Sequence, residues 1–316
     1  MRENEAVYAP IFVSVIMILL LISDNIINTA VLNGADYYLS FTVVQLIVYM
    51  LPLAFYCKVR NVMFFKSLKF NLFSYRNLLL TVCLALLFLL GLLMFVALDL
   101  YYFQGIIYSS RVTAYSFVGE QHIYSVLGLI IVPAFLKELL FRGVVLSEYR
   151  TFGIVCAVIM STLLFSFSEM SFALLPKHLY VGIFFGTICA VTDSVIPSIV
   201  LHMIYNTYNI YAENMVVNYI GKISDSAMPL FILGVLLLIT VFFTFSVLES
   251  IYRKKACDCE ENEIIKKLNA LENGKTVKNV KEHKNDATAV FSKLILSPAF
   301  LVTAAIFLIT ATINVL

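Results

Sequence analysis

The sequence predicts an all-α fold, a polytopic integral membrane helix bundle of about eight or nine transmembrane helices, and three observations predict it. Hydrophobic residues fill 61% of the 316 positions and charged residues 13%. With a mean hydropathy of +0.92, the chain is too apolar for a water-soluble globule. Apolar runs near the roughly 20 residues that a helix needs to cross the hydrocarbon core recur nine times. Lys and Arg gather in particular connections between those runs, which is how the orientation of such a chain is set.

The runs fall at about 8–29, 39–57, 77–98, 124–146, 152–170, 178–195, 197–213, 227–248 and 295–315. The first follows Met1-Arg2-Glu3-Asn4-Glu5 and lacks a small-residue cleavage site, so it reads as a retained span rather than a removed signal. Both ends of the chain are then expected in the mature protein. The runs 178–195 and 197–213 are interrupted by Asp193 and Pro197 and read as a hairpin of half-buried helices. The chain divides into N-terminal transmembrane helices over 1–100, a core over 120–215, an additional helix over 216–248, a charged loop over 249–293 and a C-terminal helix over 294–316. No internal repeat is visible.

The connection after the second run carries Lys58, Arg60, Lys66, Lys69 and Arg76, and the 249–293 loop carries ten Lys or Arg residues. Both are expected on the cytoplasmic side of the cell membrane. The connections 30–38, 99–123 and 214–226 hold no basic residue, Arg111 alone and Lys222 alone, which predicts outward-facing loops and a cytoplasmic N-terminus. Aromatic residues such as Tyr101, Tyr102, Phe103, Tyr108 and Tyr115 mark 101–120 as interfacial. Within the charged loop, Glu260 to Glu272 can form a short amphipathic helix. Cys57, Cys83, Cys156, Cys189, Cys257 and Cys259 show no disulfide spacing. Cys257-Asp258-Cys259 is too close-set for a structural zinc pair. The expected partners are the lipid bilayer and a membrane-associated peptide or protein, with no nucleic acid.

Charges inside the apolar runs are the exception that needs explaining. Lys137-Glu138-Leu139-Leu140-Phe141-Arg142-Gly143 ends the fourth run with three ionisable side chains, each costing at least a few kcal/mol if it faced lipid. They are therefore expected to face protein. Glu138 and Arg142 share a helical face and can pair. Phe165 and Glu169, and His202 and Asn206, repeat the spacing of four in two further runs. Buried polar groups need partners and can supply one another. Either a structural ion pair near the interface or a carboxylate that activates water accounts for Glu138 and Arg142. Asp24 and Asp193 read as structural or interfacial.

These residues resemble the CPBP family, which includes the type II CAAX prenyl endopeptidases and the Abi-type and bacteriocin-processing or immunity proteins. The family pattern is Glu-Glu-x-x-x-Arg, then Phe-x-x-x-His, then His-x-x-x-Asn or Asp, each on its own membrane helix. Here the three motifs read Lys137-Glu138 to Arg142, Phe165 to Glu169, and His202 to Asn206, the last preceded by Asp193-Ser194-Val195-Ile196-Pro197-Ser198-Ile199. The resemblance spans roughly 120–215. It implies an intramembrane protease-like site in which His202 and Asn206 stabilise an oxyanion. It also implies that the first Glu and the second-motif His activate water, and there the sequence departs: Lys137 and Glu169 occupy those positions.

Both exchanges reverse the charge preference of their site, so Lys137 and Glu169 are expected to contact one another, an ion pair in place of a base. Three readings remain open. The first is a protease-like protein that binds a membrane peptide or partner without hydrolysing it, as a scaffold or bacteriocin self-immunity factor. The second is a working endopeptidase using Glu138 or Glu169, or a neutral desolvated Lys137, as base with His202 and Asn206 as the oxyanion site. The third is a transporter or lipid-binding protein, which the absence of paired broken helices disfavours. Glu138, Glu169 and His202 could hold a divalent metal such as zinc, but one His with two carboxylates is a poor set, and no cofactor is expected.

Overall fold

A computed structural model of the chain describes residues 8–60, 75–103, 122–222, 227–247, 249 and 287–313. Among these, the architecture is entirely helical. Helix α1 spans Tyr8–Leu32, α2 Tyr37–Arg60 and α3 Tyr75–Tyr102. Helix α4 runs continuously over 122–149 and α5 is Ile154–Ser168. Helix α6 is Leu175–Thr192, and α7 starts with Ile196–Thr207 and continues to 221. Met228–Val247 forms α8, Ala287–Ile295 α9 and Pro298–Ile313 α10. Five of the described helices are long and apolar enough to cross a membrane: α1, α2, α3, α6 and α8. Helices α5 and α10 are shorter and equally apolar, so the protein is an all-α membrane bundle.

Two boundaries differ from the sequence expectation by more than four residues. The seventh helix does not stop at 213 but continues through Gly221, because Glu213, which ends the apolar run, is buried against a lysine rather than exposed. The charged loop is helical from 287, so Lys293 lies in the last turn of α9. The expectations for Lys66, Lys69, Arg111, Tyr108, Tyr115, the Glu260 to Glu272 helix and Cys257 and Cys259 lie outside the described residues.

Helices α4, α5, α6 and α7 form the centre. Helix α5 packs along α6, α6 turns back into α7, and α7 lies against α4. The α1–α2 pair and α10 cover one side, with Ser14 and Thr303 hydroxyls 2.9 Å apart between α1 and α10. On the other side α3 packs on α6 and on the C-terminal part of α7. Helix α8 is peripheral, resting against α3 through Leu230, Leu233 and Val247.

Small residues let α5 and α6 approach closely. A Cβ on Gly182 would come within 2.9 Å of Thr162, and one on Gly186 within 3.2 Å of Val158. The chain reverses between α6 and α7 at Asp193, whose φ of +54° is left-handed, a conformation that aspartate tolerates better than most residues. Pro197 then starts α7 at a position where its missing N–H costs nothing.

Three widened π-type turns interrupt the central helices: Leu127–Ile131 and Leu139–Val145 in α4, and Tyr208–Ala212 in α7. Pro133 has no N–H to offer the carbonyl four residues back, which accounts for the first of them. Such turns concentrate where a helix must re-aim side chains, and here all three border the polar interior.

Candidate functional site

The interior polar residues build up from four helices. Lys137 and Glu138 sit where α4 enters its second widened turn, and Arg142 lies within that turn. Glu169 follows the last residue of α5, and the chain leaves through Met170 at φ +49°. A carboxylate at a helix C-terminus is opposed by the helix dipole, so it needs a cation nearby. Lys137 supplies it, donating from Nζ to Glu169 Oε1 at 2.6 Å. The two positions that depart from the family pattern therefore meet. The side chains keep 15% and 20% of their surface exposed, because they face a cavity rather than the packed core.

Directly behind that pair lies a fully buried network. Glu138 Oε1 accepts from Arg142 Nη1 at 3.1 Å and lies 2.7 Å from His202 Nδ1 on α7. Arg142 Nη2 donates to the Gly182 carbonyl of α6 at 3.1 Å, so one guanidinium spans two helices. Its central carbon lies over the rings of Phe165 and Phe185, at 4.6 and 5.3 Å from their centres, which is favourable for a delocalised cation. Phe165, the aromatic of the second motif, also packs edge-on against His202 at 5.9 Å. Both Glu138 and Arg142 have essentially no exposed side-chain surface. Glu138 Oε2 makes no hydrogen bond among the described residues.

A cavity of about 230 Å³ opens in front of these groups, with Lys137, Glu169, His202 and Asn206 in its wall. The sequence-predicted residues thus come together on three helices, except that Glu138 does not line the cavity. It stands one layer back, behind His202. With Nδ1 of His202 held by Glu138, the ring's other nitrogen is the one left for the cavity. Asn206 donates from Nδ2 to the Ile130 carbonyl, in the first widened turn, at 3.2 Å. Asp193 lies outside the cavity and pairs with Arg150, while Asp24 is exposed on α1. No three His, Cys, Asp or Glu side chains are grouped as metal ligands among the described residues.

Gln45, His178 and Asn209 also line the cavity and were not singled out by sequence. Lys177, in the first turn of α6, donates to Glu213 at 2.6 Å and to Asn209 Oδ1 at 3.3 Å. A signal for this group existed: in an antiparallel hairpin of the sixth and seventh helices, residues at the outer ends, Lys177 and Glu213, fall at the same level.

Residues 119–208 match the family described as Rce1-like, type II CAAX prenyl endopeptidase Rce1-like. The match takes in all three motifs together with α6. What the matched segment resembles is a membrane fold of CAAX-protease type. No curated protein and no solved structure matches the chain.

Breaking a buried pair by removing one partner typically costs about 3–5 kcal/mol, whereas replacing both by apolar groups costs far less. Arg142→Met is therefore expected to lower the unfolding midpoint in detergent strongly. Glu138→Leu combined with Arg142→Met should recover at least half of that loss. Equal losses in the single and double variants would contradict the ion-pair geometry.

Proposed function

We propose that the protein binds a hydrophobic segment of a membrane-associated peptide or protein in its central cavity and does not hydrolyse it. One observation carries this reading: the 2.6 Å bridge between Lys137 and Glu169. An ammonium at that distance consumes the basicity of the carboxylate, and Glu138 is already committed to Arg142 and His202. Glu169 is then not left to take a proton from water, and Glu138 stands behind the cavity wall rather than in it. The cavity itself persists, with His202 and Asn206 in its wall, so the capacity to hold a peptide group outlives the chemistry. A scaffold or self-immunity role is compatible with such binding.

The contact between His202 Nδ1 and Glu138 Oε1, 2.7 Å, favours a second reading. A buried carboxylate on Nδ1 orients an imidazole so that its other nitrogen accepts a proton, as in hydrolytic triads. His202 would then be the base, and an N–H of Asn206 would steady the developing oxyanion.

The same proposal sets the basic connections 58–76 and 249–293 on the cytoplasmic side of the cell membrane, supported by the Lys and Arg asymmetry. A membrane-impermeant maleimide is expected to label Cys257 and Cys259 only after cells are opened. Labelling in intact cells would reverse the orientation.

Incubating the purified protein with a farnesylated peptide ending in a Cys-aliphatic-aliphatic-X sequence tests the main reading. The parent is expected to bind without releasing product, and Lys137→Glu combined with Glu169→His is expected to gain turnover. Cleavage by the parent that His202→Ala abolishes would replace the first reading by the second.

A further inference from the structure

Gln45 sits inside α2, a helix long and apolar enough to cross a membrane, where an amide facing lipid would be costly. Its neighbours Val43, Leu46 and Ile47 are all exposed and take the lipid side. Gln45 itself is 9% exposed and lines the central cavity, one helical turn beyond Phe41. The close fit of α2 on α4 holds it there: a Cβ on Gly128 would come within 2.6 Å of Thr42 Oγ1 and 3.1 Å of the Tyr38 carbonyl.

Gln45 Oε1 is buried and makes no hydrogen bond among the described residues. A buried acceptor without a donor destabilises the fold that holds it, so a purely structural role is a poor account of this residue. Two other acceptors of the cavity wall are differently placed: Glu169 Oε1 receives from Lys137, and Asn209 Oδ1 from Lys177. The last torsion of a glutamine is soft and roughly two-fold. An amide whose oxygen has no partner can therefore turn it toward a donor that enters the cavity.

We propose that Gln45 is a binding residue whose Oε1 accepts a hydrogen bond from a backbone N–H of the bound segment. The chemical class selected is a secondary amide, since an ester or an acyl chain offers no N–H. Phe41, one turn away, gives the apolar side chains of that segment a surface. The contact comes from a helix outside the matched residues 119–208. This inference rests on the peptide-binding reading above and names the group on the ligand that α2 selects.

The test uses the full-length protein in nanodiscs and the same farnesylated peptide, alongside a series in which each backbone amide in turn is replaced by an ester. One ester is expected to bind about ten-fold more weakly than the all-amide peptide, the size of a single lost hydrogen bond with a buried acceptor left unpaired. Gln45→Met, close in shape but without the acceptor, is expected to bind the all-amide peptide about ten-fold more weakly and to lose the distinction between amide and ester. Free of peptide, the same variant is expected to unfold at or above the midpoint of the parent, because an unpaired buried polar group is gone. A Gln45→Met protein that unfolds earlier would assign the glutamine to structure, and one that still prefers the amide would remove it from the ligand. Either result, or equal binding of every ester by the parent, would overturn this inference alone. A parent that binds no peptide at all would overturn the proposed function with it.

Discussion

An ionised side chain inside a lipid-embedded bundle is tolerated only against an opposite charge, and that constraint organises the centre of this molecule. Lys137 and Glu169 join α4 to α5. Arg142 and Glu138 pair within α4, and from there Arg142 reaches α6 while Glu138 reaches α7. Arg150 and Asp193 tie the end of α4 to the turn after α6. Lys177 and Glu213 tie the start of α6 to α7. These contacts matter less as sources of stability than as fixed distances: each needs its two helices in one relative register. The packing of Gly182 and Gly186 against α5 supplies the closeness on which that register depends.

The four pairs differ in what surrounds them, and the difference separates structure from function. The Glu138 and Arg142 pair is sealed by Phe165 and Phe185 and makes no contact with the cavity. Its connection toward the cavity is the bond to His202, which fixes which imidazole nitrogen faces the cavity. The Lys137 and Glu169 pair stands in the cavity wall and retains exposed surface. A buried pair without solvent or ligand access can only hold a shape. One in a cavity wall also decides whether that cavity contains a base.

Much of this was legible in the sequence because hydrophobic length and charge complementarity are local signals. Nine apolar runs coincide with nine of the observed helices, and the opposite exchanges at 137 and 169 pointed to a contact between residues on different helices. What escaped was the non-local part. Glu138 reads as a partner of Arg142 and as a member of the same site as His202, but its place one layer behind the cavity wall, bound to His202 Nδ1, comes only from the folded bundle. Lys177, His178, Asn209 and Glu213 sit at the margins of apolar runs, where polar residues ordinarily meet the interface. The widened turns leave almost no sequence trace beyond Pro133, yet they border the polar interior and one of them carries the Ile130 carbonyl bound by Asn206.

The central claim is that Lys137 and Glu169 neutralise one another where a water-activating pair would otherwise stand. The most direct measurement is the separation of Lys137 Nζ and the Glu169 carboxyl carbon, obtained by solid-state dipolar recoupling on selectively labelled protein in bilayers. A direct ion pair predicts a nitrogen-to-carbon distance under about 4 Å, the reach of a charge-assisted hydrogen bond plus one C–O bond. A separation beyond about 6 Å, too long for a direct contact, would contradict the account and return Glu169 to the cavity as an available base.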